Sequence, residues 1–300
     1  MLDEFTRAQR TQFLGSSDMA AVTGHDPWGR TRADVWAEKT GRVAPSRTSM
    51  PMVLGTYLES SILQWTEDVL ETPLQRDQFV IHAGGILAAN LDAVAPHRQP
   101  PAIIEAKTAG LIGRPRYLDD FGTAGTDEVP THILVQAHHQ LACVEAQPGW
   151  PSIRDVLVPA LLVGRGFVLY QIEKNAELCA ALVEDGTRFW QDHILTDTPP
   201  PEAPMLETLR QLRRTALPTV ALDRDLVATW LAAREVTKEV TKDAAEQEEQ
   251  YLRGLIWALG GQEAGVCDLG TFSYREQVRK AYSVPEARFR VPRFTKAKGR

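Results

Sequence analysis

Asp92, Glu105 and Lys107 are the side chains whose types and spacing could do chemistry together. Leu87, Ala89 and Leu91 alternate with Ala88, Asn90 and Asp92, the pattern of a strand with one covered face. A loop with Pro96, Pro100 and Pro101 follows, and then a short apolar run ends in Glu105-Ala-Lys107. Side chains two apart on a strand point the same way. Glu105 and Lys107 are therefore expected on one face, and a neighbouring strand could bring Asp92 to the same end. Two carboxylates so placed can hold a hard, oxygen-preferring ion such as Mg²⁺. A lysine beside them can help activate a water and offset the charge growing on a phosphodiester under attack. Charged residues at strand ends are commonly just solvated, so the flanking segments have to decide.

Length and composition narrow the field. Three hundred residues exceed the usual size of one domain, so a core domain with an appendage is expected. Cys143, Cys179 and Cys267 form no CxxC and no even-numbered framework, which points to a reducing compartment. No apolar run approaches a membrane span, and Met1-Leu-Asp-Glu-Phe-Thr-Arg lacks the hydrophobic region of a signal peptide. The net charge of −6 argues against coating nucleic acid by bulk attraction. It leaves room for a local basic groove, because carboxylates gathered at a metal site lower the total.

The elements that must position the three residues read as follows. Gly15-Ser-Ser-Asp18 before a small apolar run is a loop capping a helix, with Ser16, Ser17 and Asp18 as candidate caps. The same helix start would suit a phosphate, with Arg10 upstream as a source of charge. Residues 32–41 read as a short helix closed by Gly41, with Trp36 in packing and not in base stacking. In residues 50–70, Leu58, Ile62, Trp65 and Val69 have the spacing of one helical face, and Glu59 sits next to that stripe. Pro130 fits the first turn of a helix that places Ile133, Gln136, Gln140 and Cys143 on one side. His132, His138 and His139 lack ligand spacing and are read as non-ligands.

Residues 156–172 read as a hairpin turning at Gly164-Arg165-Gly166, and residues 173–194 as a helix with Leu178, Leu182, Phe189 and Trp190 in the core. The Pro-rich stretch 196–204 breaks regular structure and sets the boundary between a core of 1–198 and an appendage of 199–300. Within the appendage, residues 223–259 read as one long helix with a heptad-like seam of Leu226, Trp230, Ala233, Thr237, Val240, Ala244, Gln247 and Tyr251. Short strands follow near 266–274. The tail from Arg275 interleaves Arg288, Arg290, Arg293, Lys296, Lys298 and Arg300 with Phe289, Val291 and Phe294. It admits two readings, a strip that follows a nucleic-acid backbone or the solubilising end of a docking module.

The order of the pieces is specific where each alone is weak. Gly15-Ser-Ser-Asp-Met-Ala-Ala-Val-Thr-Gly, Gly55-Thr-Tyr-Leu-Glu59, Ala89-Asn-Leu-Asp92, Ile104-Glu-Ala-Lys107-Thr, Val129-Pro-Thr-His with Gln136-x-x-His-Gln140-Leu-Ala, and Phe189-Trp190 closely resemble the YqaJ-like viral recombinase family. That family sits with lambda exonuclease in the PD-(D/E)xK nuclease superfamily, and the resemblance covers about residues 10–195. It implies an α/β (α+β) fold, a restriction-endonuclease-like core with a central mixed β-sheet flanked by helices. It also implies Mg²⁺- or Mn²⁺-dependent hydrolysis of DNA from the 5′ side of duplex ends, with two ions per site.

Carried over by the resemblance, Asp92 and Glu105 match the metal-binding carboxylates, Lys107 the catalytic lysine, and Glu59 the helix acid near the second metal. Gln136 matches a glutamine that orders the site, and Ser17 and Arg10 match positions that hold a 5′-phosphate. Ala93 departs from the glycine that many relatives carry there. The implied setting is phage-type recombination in the cytoplasm of a bacterial or phage-infected cell, beside a single-strand-annealing recombinase and with a homo-oligomer possible. Two alternatives stand: a structure-specific or single-strand endonuclease of the same superfamily, and a non-catalytic DNA-end adaptor.

Overall fold

The computed structural model describes residues 11–43, 49–110, 115–145, 147, 149–212, 219–239, 242–279 and 287–296. In chain order their helices are α1 Ser16–Val22, α2 Arg32–Lys39, α3 Met50–Leu70, α4 Thr131–Glu145, α5 Ala176–Phe189, α6 Leu206–Gln211, α7 Arg224–Glu239 and α8 Lys242–Ala258. Two compact units emerge, one from the described residues within Met1–Gly29 and Pro45–Thr198, the other from those within Arg30–Ala44 and Pro199–Arg300. Residues 30–44, expected with the first domain, pack with the second unit.

The first unit is built on a mixed sheet. β1 (Gln75–Ile81) and β2 (Ala88–Ala95) are antiparallel, as are β2 and β3 (Ala102–Ile104). β3 and β4 (Lys107–Ala109) both run parallel to β5 (Asp155–Leu162), and β6 (Gly166–Glu173) returns antiparallel to it. The order β1-β2-β3-β5-β4, with β6 on β5, gives six strands. Ala102 lies opposite Asp155 and Lys107 opposite Ala160, the same register along β5. β3 and β4 are thus one strand line interrupted at Glu105-Ala106.

Helices cover both faces, the central mixed sheet flanked by helices that the resemblance implied. On one face Leu63 of α3 packs with Ala93, Ala95, Ala102, Ile104 and Leu157. The alanines let the helix approach closely. On the other face α4 lies against β2, and a ring nitrogen of His139 meets the Ala88 carbonyl at 2.9 Å. With a helix on each side, β2 is covered on both faces except at Asn90, which is exposed, and Asp92, which is half-buried.

Two helical readings shift. The covered stripe of α3 is Ile62, Leu63 and Thr66, while Val69 is 49% exposed and Trp65 stacks on Phe167 at 5.0 Å. The stripe is turned towards the alanine floor of the sheet, and this brings Glu59 into line with it. α5 ends at Phe189, and Trp190–Leu195 continue as a π turn, with the Asn175 side chain accepting the Leu178 N–H at the helix start.

In the second unit the single long helix is absent. α7 and α8 pack against each other and share a core of Val227, Trp230, Leu255, Ile256 and Leu259. Of the seam positions, Trp230 is buried in this core and Leu226 and Tyr251 pack against it, while Gln247 is exposed; Val240 lies outside the described residues. The sheet has the order β10-β9-β8-β7, from β7 (Val220–Ala221), β8 (Ala264–Cys267), β9 (Gly270–Arg279) and β10 (Ala287–Lys296). The basic tail is therefore largely the strand β10, and Phe294 packs edge-on against Trp230 at 6.1 Å. α2 is held by Asp34, whose carboxylate accepts the Thr31 and Met205 N–H groups, each at 2.8 Å. Trp36 is buried as expected, edge-on to Trp257 at 6.4 Å.

Candidate active site

The interruption between β3 and β4 creates the site. β2 pairs with β3 up to Ala93 opposite Ile104, and one step further the same register sets Asp92 opposite Glu105. There the ladder opens. Asp92 Oδ2 accepts the Ala106 N–H at 2.8 Å, while the Glu105 N–H stays bonded to the Leu157 carbonyl at 3.0 Å. Glu105 is 6% exposed and both its oxygens are engaged. Oε1 accepts from Lys107 Nζ at 2.5 Å and Oε2 from Gln140 Nε2 at 2.5 Å.

Glu59 comes from the other layer. It lies one turn after Gly55, where an added Cβ would sit 3.7 Å from Thr108 Oγ1 of β4, and one turn before Leu63 on the alanine floor. It therefore straddles the strand break. Burial, then the charges of Asp77 and Glu105, hold its carboxyl above the ordinary value against the pull of Lys107. Burial and the neighbouring Glu105 push Asp92 well above the ordinary range, against Lys107 and the Ala106 N–H. Burial alone would lower Lys107, but Glu105 and Asp92 outweigh it and keep the ammonium charged.

Gln140, not Gln136, is the glutamine on Glu105. Gln136 Oε1 is buried and has no hydrogen-bond partner among the described residues. Gln140 was visible in the sequence on the polar side of its helix, but spacing cannot say which of two glutamines one turn apart reaches a given acid. Asp77 was missed altogether. It sits between the pairs Arg76–Ala93 and Gln78–Leu91, so its register position faces Asp92, and its φ is +55°. A left-handed residue inside a strand leaves no signal in a pattern of alternation.

Ser17 lies at the start of α1, and no hydrogen bond or ion pair ties it to Asp92, Glu105 or Lys107 among the described residues. The helix is capped by the Asp18 carboxylate, which accepts the Gly15 N–H at 2.9 Å. Arg10 lies outside the described residues. Nδ1 of His138 lies 2.8 Å from the Leu134 carbonyl and His139 meets Ala88, while Nε2 of His138 is buried with no hydrogen-bond partner among the described residues. Burial and the charge of Lys107 lower His132 to about 4.

No three of the described His, Cys, Asp or Glu residues already form a metal cage. The donor set nonetheless suits a divalent cation. Three carboxylates crowd a buried spot with one ammonium, and the repulsion that raises Asp92 and Glu59 is what a hard cation would relieve.

The mixed sheet with an acid on one strand and Glu-x-Lys at the break of the next defines a PD-(D/E)xK-type α/β core. Residues 6–147, just under half of the chain, match the family model of the YqaJ-like viral recombinase domain. The uncharacterized protein YqaJ of Bacillus subtilis (strain 168) is 24% identical over 253 residues, spanning 81% of this chain and 75% of that protein. Among solved structures, the alkaline exonuclease LHK-Exo from Laribacter hongkongensis is 14% identical, with a TM-score of 0.49 over 65% of this chain and 94% of that one. A phage-related exonuclease from Haemophilus somnus 129PT is 12% identical, with a TM-score of 0.46 over 64% and 98%.

Proposed function

We propose that this protein is a metal-dependent deoxyribonuclease that hydrolyses phosphodiester bonds at duplex DNA ends, from 5′ to 3′, in phage-type homologous recombination. The observation that carries the reading is the meeting of Asp92, Glu105 and Lys107 at the β3–β4 break, within a YqaJ-like viral recombinase domain. Asp92, Glu105 and Glu59 would hold Mg²⁺ or Mn²⁺, in two positions. Bound there, the ions would supply Lewis-acid polarisation of the phosphoryl oxygens and a water that is deprotonated near neutral pH.

The protein's own residues do the rest. Lys107, held charged by Glu105 and Asp92, would serve as a cation facing the phosphoryl oxygens. Gln140 fixes Glu105 from behind, and the Ala106 N–H fixes Asp92, so neither carboxylate has to be oriented during the reaction. The water oxygen bonds to phosphorus as the bond to the 3′-oxygen breaks, leaving a 5′-phosphate and a 3′-hydroxyl. Ser17 and Arg10 are assigned to the terminal 5′-phosphate. Contacts mostly to phosphates give little sequence preference and a steep salt dependence. The setting of this reading is the bacterial or phage-infected cytoplasm, with a single-strand-annealing recombinase as partner and a homo-oligomer as the working form.

The test is a time course with Mg²⁺ on linear duplex, nicked circle, closed circle and single strand, labelled at either end, with and without a 5′-phosphate. Loss of 5′ label first, faster with the phosphate, with closed circles intact, is expected. Cutting of closed circles would make the protein an endonuclease. Absence of any Mg²⁺-dependent hydrolysis would leave a non-catalytic adaptor.

A further inference from the structure

Beside the acid site, the first unit carries a row of aromatic rings that the proposed chemistry does not use. Trp28 lies 5.6 Å from Tyr117, Tyr117 lies 5.6 Å from Phe121, and Phe121 lies 5.7 Å from Tyr170. Burial falls along the row, from Tyr170 and Phe121 in the core to Trp28, which is 52% exposed. The Trp28 N–H donates to Asp26 Oδ1 at 2.8 Å, which fixes the turn that presents the ring. A ring backed by another ring, on a pinned turn, is a stacking surface that needs little ordering when a ligand arrives. A cation stands further along the row. Exposed Arg165 donates to the Phe121 carbonyl at 2.6 Å and has no carboxylate partner among the described residues.

α4 connects this platform to the acids. Gln140, which holds Glu105, is followed back along one face by Gln136 and His132 at successive turns, a line of about 12 Å. At its outer end Nε2 of His132 and the Tyr117 hydroxyl share a hydrogen bond of 2.9 Å. Midway, Gln136 presents its buried, partnerless Oε1. A polar stripe of this kind on a largely buried helix is costly unless something polar lies along it. A nucleic-acid strand has the matching chemistry: base N–H donors for the Gln136 oxygen, anionic phosphates for Arg165 and a flat aromatic face for Trp28.

We propose that Trp28, backed by Tyr117, is a stacking platform for one unpaired nucleobase of the DNA strand whose backbone reaches the acids along the Gln136–His132 face of α4. The inference rests on the nuclease reading and extends it, because an internal base of a duplex has both faces covered by its neighbours and offers one to an indole only after leaving the stack. Stacking tolerates every base, which suits an enzyme that must digest any sequence.

The test is equilibrium binding of a short single-stranded oligodeoxynucleotide, 5′-phosphorylated and labelled at its 3′ end, in EDTA to prevent cleavage. A set of oligonucleotides carries one abasic position each. Trp28→Ala should weaken binding by about 10-fold, within the range of one base–aromatic stack, and Trp28→Phe should stay within about 3-fold of the parent. One abasic position should reproduce the loss in the parent and add nothing in Trp28→Ala. Trp28→Leu keeps apolar volume against Tyr117 without a ring face and should bind as Trp28→Ala does, which separates stacking from packing. Abasic penalties that are the same in parent and variants would overturn the platform. If the parent still digests linear duplex with Mg²⁺, only the platform falls; a parent that neither binds nor cuts DNA removes the nuclease reading and the platform with it.

Discussion

Replacing His139 by glutamine should remove a pH dependence from the helix that carries Gln140. His139 is 1% exposed and its pKa is lowered to about 4, first by burial and then by His82. The Ala88 carbonyl and the charge of Asp18 oppose the shift without reversing it, and Cys143 Sγ at 3.6 Å completes its surroundings. The folded imidazole is therefore neutral where the unfolded one, near pH 6.5, begins to charge. For a base whose pKa falls on folding, stability is fully present above the unfolded value and is lost as pH drops towards the folded one.

Each pH unit in that window is worth about 1.36 kcal/mol. Between pH 7.5 and 5 the loss is about 2 kcal/mol, or about 30-fold in the local opening equilibrium. Hydrogen exchange of α4 amides, corrected for intrinsic rates, reads that opening directly. Protection should fall about 30-fold more in the parent than in His139→Gln between pH 7.5 and 5. His132 titrates in both proteins and cancels. Equal pH slopes in the two would refute the claim that the helix docks on β2 through a neutral imidazole.

Lys107→Ala should cut Mg²⁺-dependent hydrolysis by about 10²–10³-fold with an unchanged circular dichroism spectrum, and full activity in that variant would remove its catalytic role. Gln140→Leu leaves Glu105 Oε2 without its donor. It should lower kcat by about 10-fold with little change in KM and cost about 1–3 kcal/mol in thermal unfolding, whereas Gln136→Leu should leave the Glu105 contact intact and spare kcat more. Gly270→Ala would drive a Cβ to 2.2 Å from the Thr295 backbone oxygen at a φ of +151°. It should destabilise the β9–β10 pair by about 3 kcal/mol, read as faster limited proteolysis of the second unit.

The parts of the site that were legible in the sequence are those set by short-range geometry. Asp92, Glu105 and Lys107 could be placed together because strand alternation is local, and the register between β2 and β3 needs only one more pairing. Glu59 was legible as a residue but not as a position, since a stripe of Leu58, Ile62, Trp65 and Val69 is as periodic as the one used, and only the alanine floor selects Ile62, Leu63 and Thr66. The choice between one long helix and the α7–α8 pair turned on whether apolar residues find a partner inside the chain or outside it. Heptad spacing is silent on that choice. Asp77 and Gln140 enter through tertiary contacts, which no one-dimensional pattern carries.

The excursion of residues 30–44 into the second unit makes the chain impossible to divide with a single cut. A fragment ending at Thr198 would keep α2 but strip it of Trp257, of the Met205 N–H that meets Asp34, and of Glu202, which receives Arg32 at 2.6 Å. Trp36 would then lose the ring it packs against. The smallest self-consistent version of the first unit is a splice, with Gly29 sewn to the start of α3, and the appendage is inherited through two seams at once.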